Sequence, residues 1–145
     1  MGNIETLTLA NVIILLFAIY HFAVGIPSIL SFPLLRKIGK KLYSLNIPEN
    51  VDPRYEYSLK AIGFYALTIG FLCLLELVNE SSKQKALFLL ILSFLLVARA
   101  WGRWFYKDLV EKAFQISWPR SRKNVLFNIF CAVFSCYISY LLYFA

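Results

Sequence analysis

Charged residues are missing from four long stretches of this chain and crowd into the segments between them. Residues 6–35 carry no charge, 61–75 lie uncharged between Lys60 and Glu76, 86–98 run without charge into Arg99, and 125–145 carry none. The hydrocarbon core of a bilayer is about 30 Å thick, so a spanning helix needs roughly 20 mostly apolar residues. The first and fourth stretches meet that length alone, and the second and third reach it with their flanks. In lipid every backbone N–H and C=O must be bonded within the chain, so a helix is the natural form for each stretch. The pattern predicts an all-α fold, a four-transmembrane-helix bundle that occupies 1–145 as a single integral membrane domain. The helices are expected over about 7–31, 58–78, 85–106 and 124–144.

The segments between the spans have patterns of their own. Leu34, Leu35, Ile38, Leu42 and Leu45 recur at helical spacing with Arg36, Lys37, Lys40 and Lys41 between them. That predicts a short interfacial amphipathic helix between helices 1 and 2, stopped within 46–53 by Pro48 and Pro53. Residues 107–116 have a similar character or simply continue helix 3. Pro27 is expected to kink or end helix 1 locally, which can open a cavity. Each half of the chain therefore reads spanning helix, basic segment, spanning helix, without a residue-level repeat.

Composition agrees with lipid as the solvent: 60% of the 145 residues are hydrophobic, above the usual share of soluble domains. The net charge of +7 matters less than its placement. Arg36, Lys37, Lys40, Lys41 and Arg54 lie in the first connection, with Lys60 at the next helix start. Arg103, Lys107, Lys112, Arg120, Arg122 and Lys123 follow Arg99 in the third. The second connection has only Lys83 and Lys85. The positive-inside rule then puts loops 32–57 and 107–123 in the cytoplasm and both termini outside, as in a multi-pass membrane protein. This charge is topogenic and gives no reason to expect nucleic acid as a partner, although it also suits anionic lipid headgroups. A cleavable signal peptide is not expected, because Glu5 is the only charge before the first stretch and that stretch exceeds a signal h-region. Met1-Gly2 with Thr6 fits a myristoylation pattern, which adds little to a helix that already spans.

Lipid tails compete with apolar side chains, so membrane helices associate through small and polar residues. Helix 1 has Ala18, His21 and Gly25 on one face, and helix 2 has Gly63, Ala66 and Gly70. Helix 3 has Ala98 and Gly102, and helix 4 has Asn128, Ala132, Ser135 and Ser139. Gly25, Gly63, Gly70, Gly102 and Ser135 are the expected packing positions.

Ionisable groups at membrane depth are costly and often mark a functional site. His21 and Arg99 lie at similar depth, Arg103 follows one turn later, Glu56 and Lys60 open helix 2, and Asn128 is near the start of helix 4. His21, Arg99, Arg103, Glu56 and Asn128 are therefore the candidate ligand-binding residues. The competing reading is structural. Arg99 and Arg103 would snorkel to the headgroups beside a belt of Trp101, Trp104 and Tyr106, and Glu56 would pair with one of them. Glu76 and Glu80 are expected beside Lys83 and Lys85 in a solvated cluster at the end of helix 2. One histidine and no Cys-x-x-Cys leave no zinc pattern, and Cys131 and Cys136 point to different faces of one helix. No catalytic motif is present, and the residues identify no cofactor.

Tyr20-His21-Phe22-Ala23-Val24-Gly25, leading to Phe32-Pro33 and Gly39, resembles the first helix and its exit in the small DoxX-like four-helix membrane proteins. Lys60-Ala61-Ile62-Gly63 through Gly70 resembles their second helix, and Ala98-Arg99-Ala100-Trp101-Gly102-Arg103 the end of their third. The resemblance implies a four-helix membrane bundle in a family whose members mostly lack an assigned activity. Its namesake is a membrane subunit of quinone-linked sulfur oxidation, an activity for which this chain offers no redox-cofactor ligands. On that match Gly63, Arg99, Gly102 and Arg103 become site or packing positions.

Three functions remain open on the sequence. The first is a non-enzymatic module that binds a lipid-like or quinone-like molecule, or serves as a small subunit of a membrane complex. His21, Arg99 and Arg103 would hold a polar head or a partner's carboxylate, and Tyr20, Tyr65 and Trp101 would line the apolar part. The second is a quinone-linked oxidoreductase subunit, with His21 handling protons. The third is a pure scaffold. The expected partners are the lipid bilayer, a hydrophobic small molecule, and another membrane protein or a second copy of the chain.

Overall fold

Each uncharged stretch becomes a helix with its own start and stop signals. The computed structural model describes residues 2–43 and 46–144. The helices are α1 (Gly2–Leu30), α2 (Phe32–Ile38), α3 (Pro53–Val78), α4 (Ser82–Phe105), α5 (Lys107–Phe114) and α6 (Trp118–Phe144), with one π-helical turn, Gly39–Tyr43, after α2. Four of them contain segments long and apolar enough to cross a membrane: Ile4–Leu30, Pro53–Val78, Ser82–Phe105 and Trp118–Phe144. Only 22% to 39% of the most apolar window of each is buried within the protein. So much exposed apolar surface has lipid as its solvent, and the chain is an integral, multi-pass membrane protein.

All four spanning helices start upstream of where the hydropathy pattern places them, and at α3 and α6 a proline marks the new start. Pro53 begins α3 instead of stopping the segment before it. Asp52 caps the helix, its Oδ1 accepting from the Arg54 N–H at 2.7 Å, and proline at the first helical position gives up an N–H that would have no partner anyway. α6 likewise starts at Trp118, with Pro119 in its first turn. Pro27 does not end α1, which runs on to Leu30. The segment 107–116 is a separate helix, α5, broken from α4 at Tyr106. The helix expected from Leu34 to Leu45 is realised as α2 and the π turn. Leu45 and the side chain of Leu42 lie outside the described residues, as do Met1 and Ala145.

The four spans form two hairpins. α1 packs along α3, and α4 packs along α6. The hairpins meet mainly where α1 touches α6 and, more lightly, α4. On α3 the buried positions are Leu59, Gly63, Ala66, Gly70 and Cys73, alternately four and three apart, the spacing of a packing seam. Gly63 and Gly25 set the closeness of the first pair. A Cβ on Gly63 would stand 2.6 Å from Cβ of Ser28 and 3.2 Å from the Gly25 carbonyl oxygen. Gly70 lies under the Phe22 ring, 3.2 Å from the position a Cβ would take. In the second hairpin, Ala132, Ser135 and Ser139 are buried on α6, and the Ser139 hydroxyl donates to the Ala86 carbonyl at 2.6 Å.

Gly102 departs from the expectation. Nothing stands within 4 Å of a Cβ there, and Ala98 is exposed, so this pair packs no neighbouring helix. α4 uses another face, with Ala86, Leu89, Leu92, Ser93, Leu96 and Ala100 buried. Gly102→Ala should therefore leave stability unchanged or raise it by up to about 1 kcal/mol, the helix preference of alanine over glycine. A lower melting temperature in detergent would show an undetected neighbour.

The bundle has a terminal end, with the chain termini and the α3–α4 turn, and a connection end, with the two longer connections. The main core, including Ala10, Ile14, Ala18, Cys73, Leu89, Ile138 and Leu142, lies towards the terminal end. Lys85 is buried beside it with 2% exposure, contrary to a solvated cluster. Its ammonium donates to Asn11 Oδ1 on α1 at 2.5 Å and to the Leu77 carbonyl at 3.2 Å. It thus satisfies an orphan carbonyl of the last turn of α3 and ties α4 to the other hairpin. Glu76 instead accepts from the side chain of Asn79. At the connection end Arg36 stands over Phe32 and donates to the Glu49 carbonyl, and Leu35, Ile47 and Leu59 pack together. The Asn46 side chain donates to Gln115 Oε1 at 3.1 Å, linking the two connections.

Candidate functional site

Because the hairpins meet so lightly, they leave a cavity of about 570 Å³ between them. α1 supplies Ile13, Phe17, Tyr20 and His21 to its wall, α4 supplies Leu92, Leu96 and Arg99, and α6 supplies Asn128, Cys131 and Ser135. α3 contributes only Ile69. The volume falls within the range of about 300–1,000 Å³ usual for small-molecule sites. Several lining side chains are also open to the outside: Leu16 is 60% exposed and Phe130 67%. The cavity is therefore a cleft with a lateral mouth in the apolar surface.

Its polar groups gather towards the connection end. Counting helix rise at roughly 1.5 Å per residue, Arg99 lies about 9 Å from the end of α4, His21 about 14 Å from the end of α1, and Asn128 about 15 Å from the start of α6. Nδ1 of His21 is 2.8 Å from the Phe17 carbonyl oxygen. A carbonyl can only accept, so Nδ1 carries the proton of that bond and Nε2 is left for another partner. The imidazole stacks on Phe17 and meets Tyr20 edge-on, with centroids 6.1 and 5.1 Å apart. Asn128 Nδ2 donates to the Asn124 carbonyl at 2.7 Å, which holds the amide in one orientation. The Arg99 guanidinium lies 5.2 Å over the Tyr20 ring, a cation–π contact that joins α4 to α1 across the cavity.

Arg99 is the only charged side chain among the described lining residues, and no carboxylate among the described residues pairs with it. A cation–π contact attracts the guanidinium without neutralising it, and its N–H groups remain donors. The cavity therefore has apolar walls and one cationic, hydrogen-bonding end.

Of the residues expected to act together, His21, Arg99, Asn128 and Ser135 share this cavity. Glu56 does not join them. It pairs at 2.7 Å with Lys60 of its own helix, the short reach that i, i+4 spacing allows, and α3 lines the cavity only at Ile69. Arg103 lies one turn beyond Arg99, outside the lining. Gly25, Gly63 and Gly70 serve the α1–α3 contact instead. Tyr65 and Trp101 do not line the apolar part, being 73% and 68% exposed on outward faces. Trp101, Trp104, Phe105 and Tyr106 form an exposed aromatic group at the end of α4.

Sequence reasoning missed most of the apolar wall. Phe127, Phe130 and Phe134 line it from α6, each one residue before Asn128, Cys131 and Ser135. Their shared spacing of three and four was the available signal, but an aromatic row on a membrane helix more often faces lipid. No family model, curated protein or solved structure matches this chain.

Proposed function

We propose that this protein is a non-enzymatic membrane module that binds an amphiphile, lipid-like or quinone-like, in the cleft between its hairpins. The observation that carries this reading is the combination in one cavity of apolar walls, a lateral mouth and a guanidinium that no carboxylate among the described residues pairs with. An ionisable group at membrane depth is usually satisfied by a partner, and a polar head entering from the bilayer supplies one. Loops 32–57 and 107–123 face the cytoplasm in this reading and both termini lie outside. It is supported by the charge of the two halves: thirteen of the fifteen Lys and Arg, against five of the eight Asp and Glu, fall towards the connection end. Membership of the DoxX-like family is part of the same proposal and rests on the segments around His21, Gly63 and Arg99.

Native mass spectrometry of the protein released from mild detergent, with lipid extraction of the same sample, tests the reading. One stoichiometric small molecule is expected. Arg99→Gln should lower its occupancy roughly tenfold or more, since a hydrogen bond to a charged group contributes about 1.5–3 kcal/mol. A wild-type protein that emerges empty, or only together with another chain, would replace this function with that of a complex subunit.

A further inference from the structure

We infer that the occupant of the cleft is a single-chain amphiphile with a small anionic head, held at Arg99 and drawn from the leaflet at the connection end. The inference rests on the binding function proposed above and adds the charge, the direction and the source of the ligand.

The charge follows from what faces the cavity. Among the described lining residues Arg99 is the one formal charge, and none is Asp or Glu. The chain has no acidic residue at all between Glu80 and Asp108 or after Glu111. Neither α4 nor the membrane part of α6 can therefore provide a counter-charge from within. A neutral head would accept hydrogen bonds and leave the positive charge uncompensated, whereas a carboxylate or phosphate supplies both. The planar fork of an arginine matches either oxyanion through paired N–H donors. Asn128 stands on the same lining with its amide fixed by Asn124 and its second Nδ2–H still a donor, and His21 borders the site with its ring fixed by Phe17.

The direction follows from where the polar and apolar linings lie. Arg99, His21 and Asn128 are towards the connection end. Ile13, Leu92 and Phe134 continue the lining towards the main core, without a charged group among them. A head at Arg99 thus sends its chain to the middle of the bilayer, as in a lipid of that leaflet. The lateral opening of the cleft, where lining residues such as Leu16 and Phe130 are also exposed, lets the chain enter sideways. A cavity of about 570 Å³ holds one chain and a compact head, not both chains of a phospholipid.

The source follows from surface charge. The connection-end half carries +8 of formal charge, thirteen basic against five acidic residues, and the terminal half −1. Lys37, Lys40, Lys41, Lys112, Arg120 and Arg122 are all exposed there. Such a basic rim raises the local concentration of anionic amphiphiles beside the mouth.

The test uses the full chain in nanodiscs of phosphatidylcholine, with oleate, oleoyl lysophosphatidate, oleyl alcohol and a short-chain ubiquinone as probes in equilibrium binding. Oleate, lysophosphatidate or both should bind one to one, at least tenfold more tightly than oleyl alcohol or the quinone, and the tighter anion identifies the head. Arg99→Gln should abolish that preference and Arg99→Lys should keep part of it. The comparison of acid with alcohol on the wild-type protein stands even where a variant fails to fold. Equal binding of alcohol and oleate would overturn the anionic head while leaving a binding module. Failure of all four probes would overturn the binding function itself, and this inference with it.

Discussion

Asn11→Leu is expected to destabilise the bundle by about 2–3 kcal/mol, and Lys85→Met on the same background to recover most of that loss. The reason is that Asn11 Oδ1 and the Leu77 carbonyl are the two acceptors that hold the buried Lys85 ammonium. A hydrogen bond to a charged group contributes roughly 1.5–3 kcal/mol, and its loss leaves a donor of a buried side chain without that partner. Leucine at position 11 keeps the branched shape and heavy-atom count of asparagine and removes the acceptor. Methionine at 85 keeps the length of the lysine stem and removes the charge, which also removes its desolvation cost. Lys85→Met alone should accordingly cost less than Asn11→Leu. Unfolding in detergent, followed by circular dichroism for both single variants and the double, measures the coupling directly. Additive losses would show that Lys85 and Asn11 are merely neighbours and that their hydrogen bond does not hold the hairpins together.

The second large effect belongs to the α1–α3 contact. Gly63→Ala should lower stability by about 1–3 kcal/mol, the range for overpacking a close contact. Alanine is intrinsically the better helix former by about 1 kcal/mol, so the sign depends on the space available. That space is absent: the new methyl would lie 2.6 Å from Cβ of Ser28 and 3.1 Å from the Ile29 side chain. Neither obstacle is the free end of a long side chain, so the two helices have to separate. Gly63→Val should be worse, and should also shift α1 and loosen the cleft that α1 helps to line. The same substitution at Gly102, where no neighbour lies within 4 Å, is the matched control. If Gly63→Ala unfolds at the wild-type temperature, the close approach of Gly25 and Gly63 does not set the distance between α1 and α3.

These two effects differ in how far they can be read from the chain alone. Gly63, Ala66 and Gly70 announce a packing face by their spacing, because in lipid only small residues let backbones approach. The partner of that face is not announced, and Ala98-Gly102 shows the cost of reading spacing by itself: the same motif lies on a face that meets no helix. Lys85 was legible only as a charge near a helix start, where a lysine ordinarily reaches water. Its burial depends on Asn11, seventy-four positions away.

The four spans and the basic connections between them follow from the sequence itself. The bilayer acts on each segment separately, and roughly 20 apolar residues without a charge have no other stable form in it. The pairing of α1 with α3 and of α4 with α6, and the light seam between the pairs, are tertiary facts. Hydropathy exerts little pull between helices already in lipid, so small-residue contacts and a few hydrogen bonds determine which faces meet. That choice placed His21, Arg99 and Asn128 around one cavity and left Glu56 paired with Lys60 on α3, away from it. It also turned the Phe127, Phe130 and Phe134 row into a wall, since an aromatic side chain faces lipid or a cleft according to where the next helix stands.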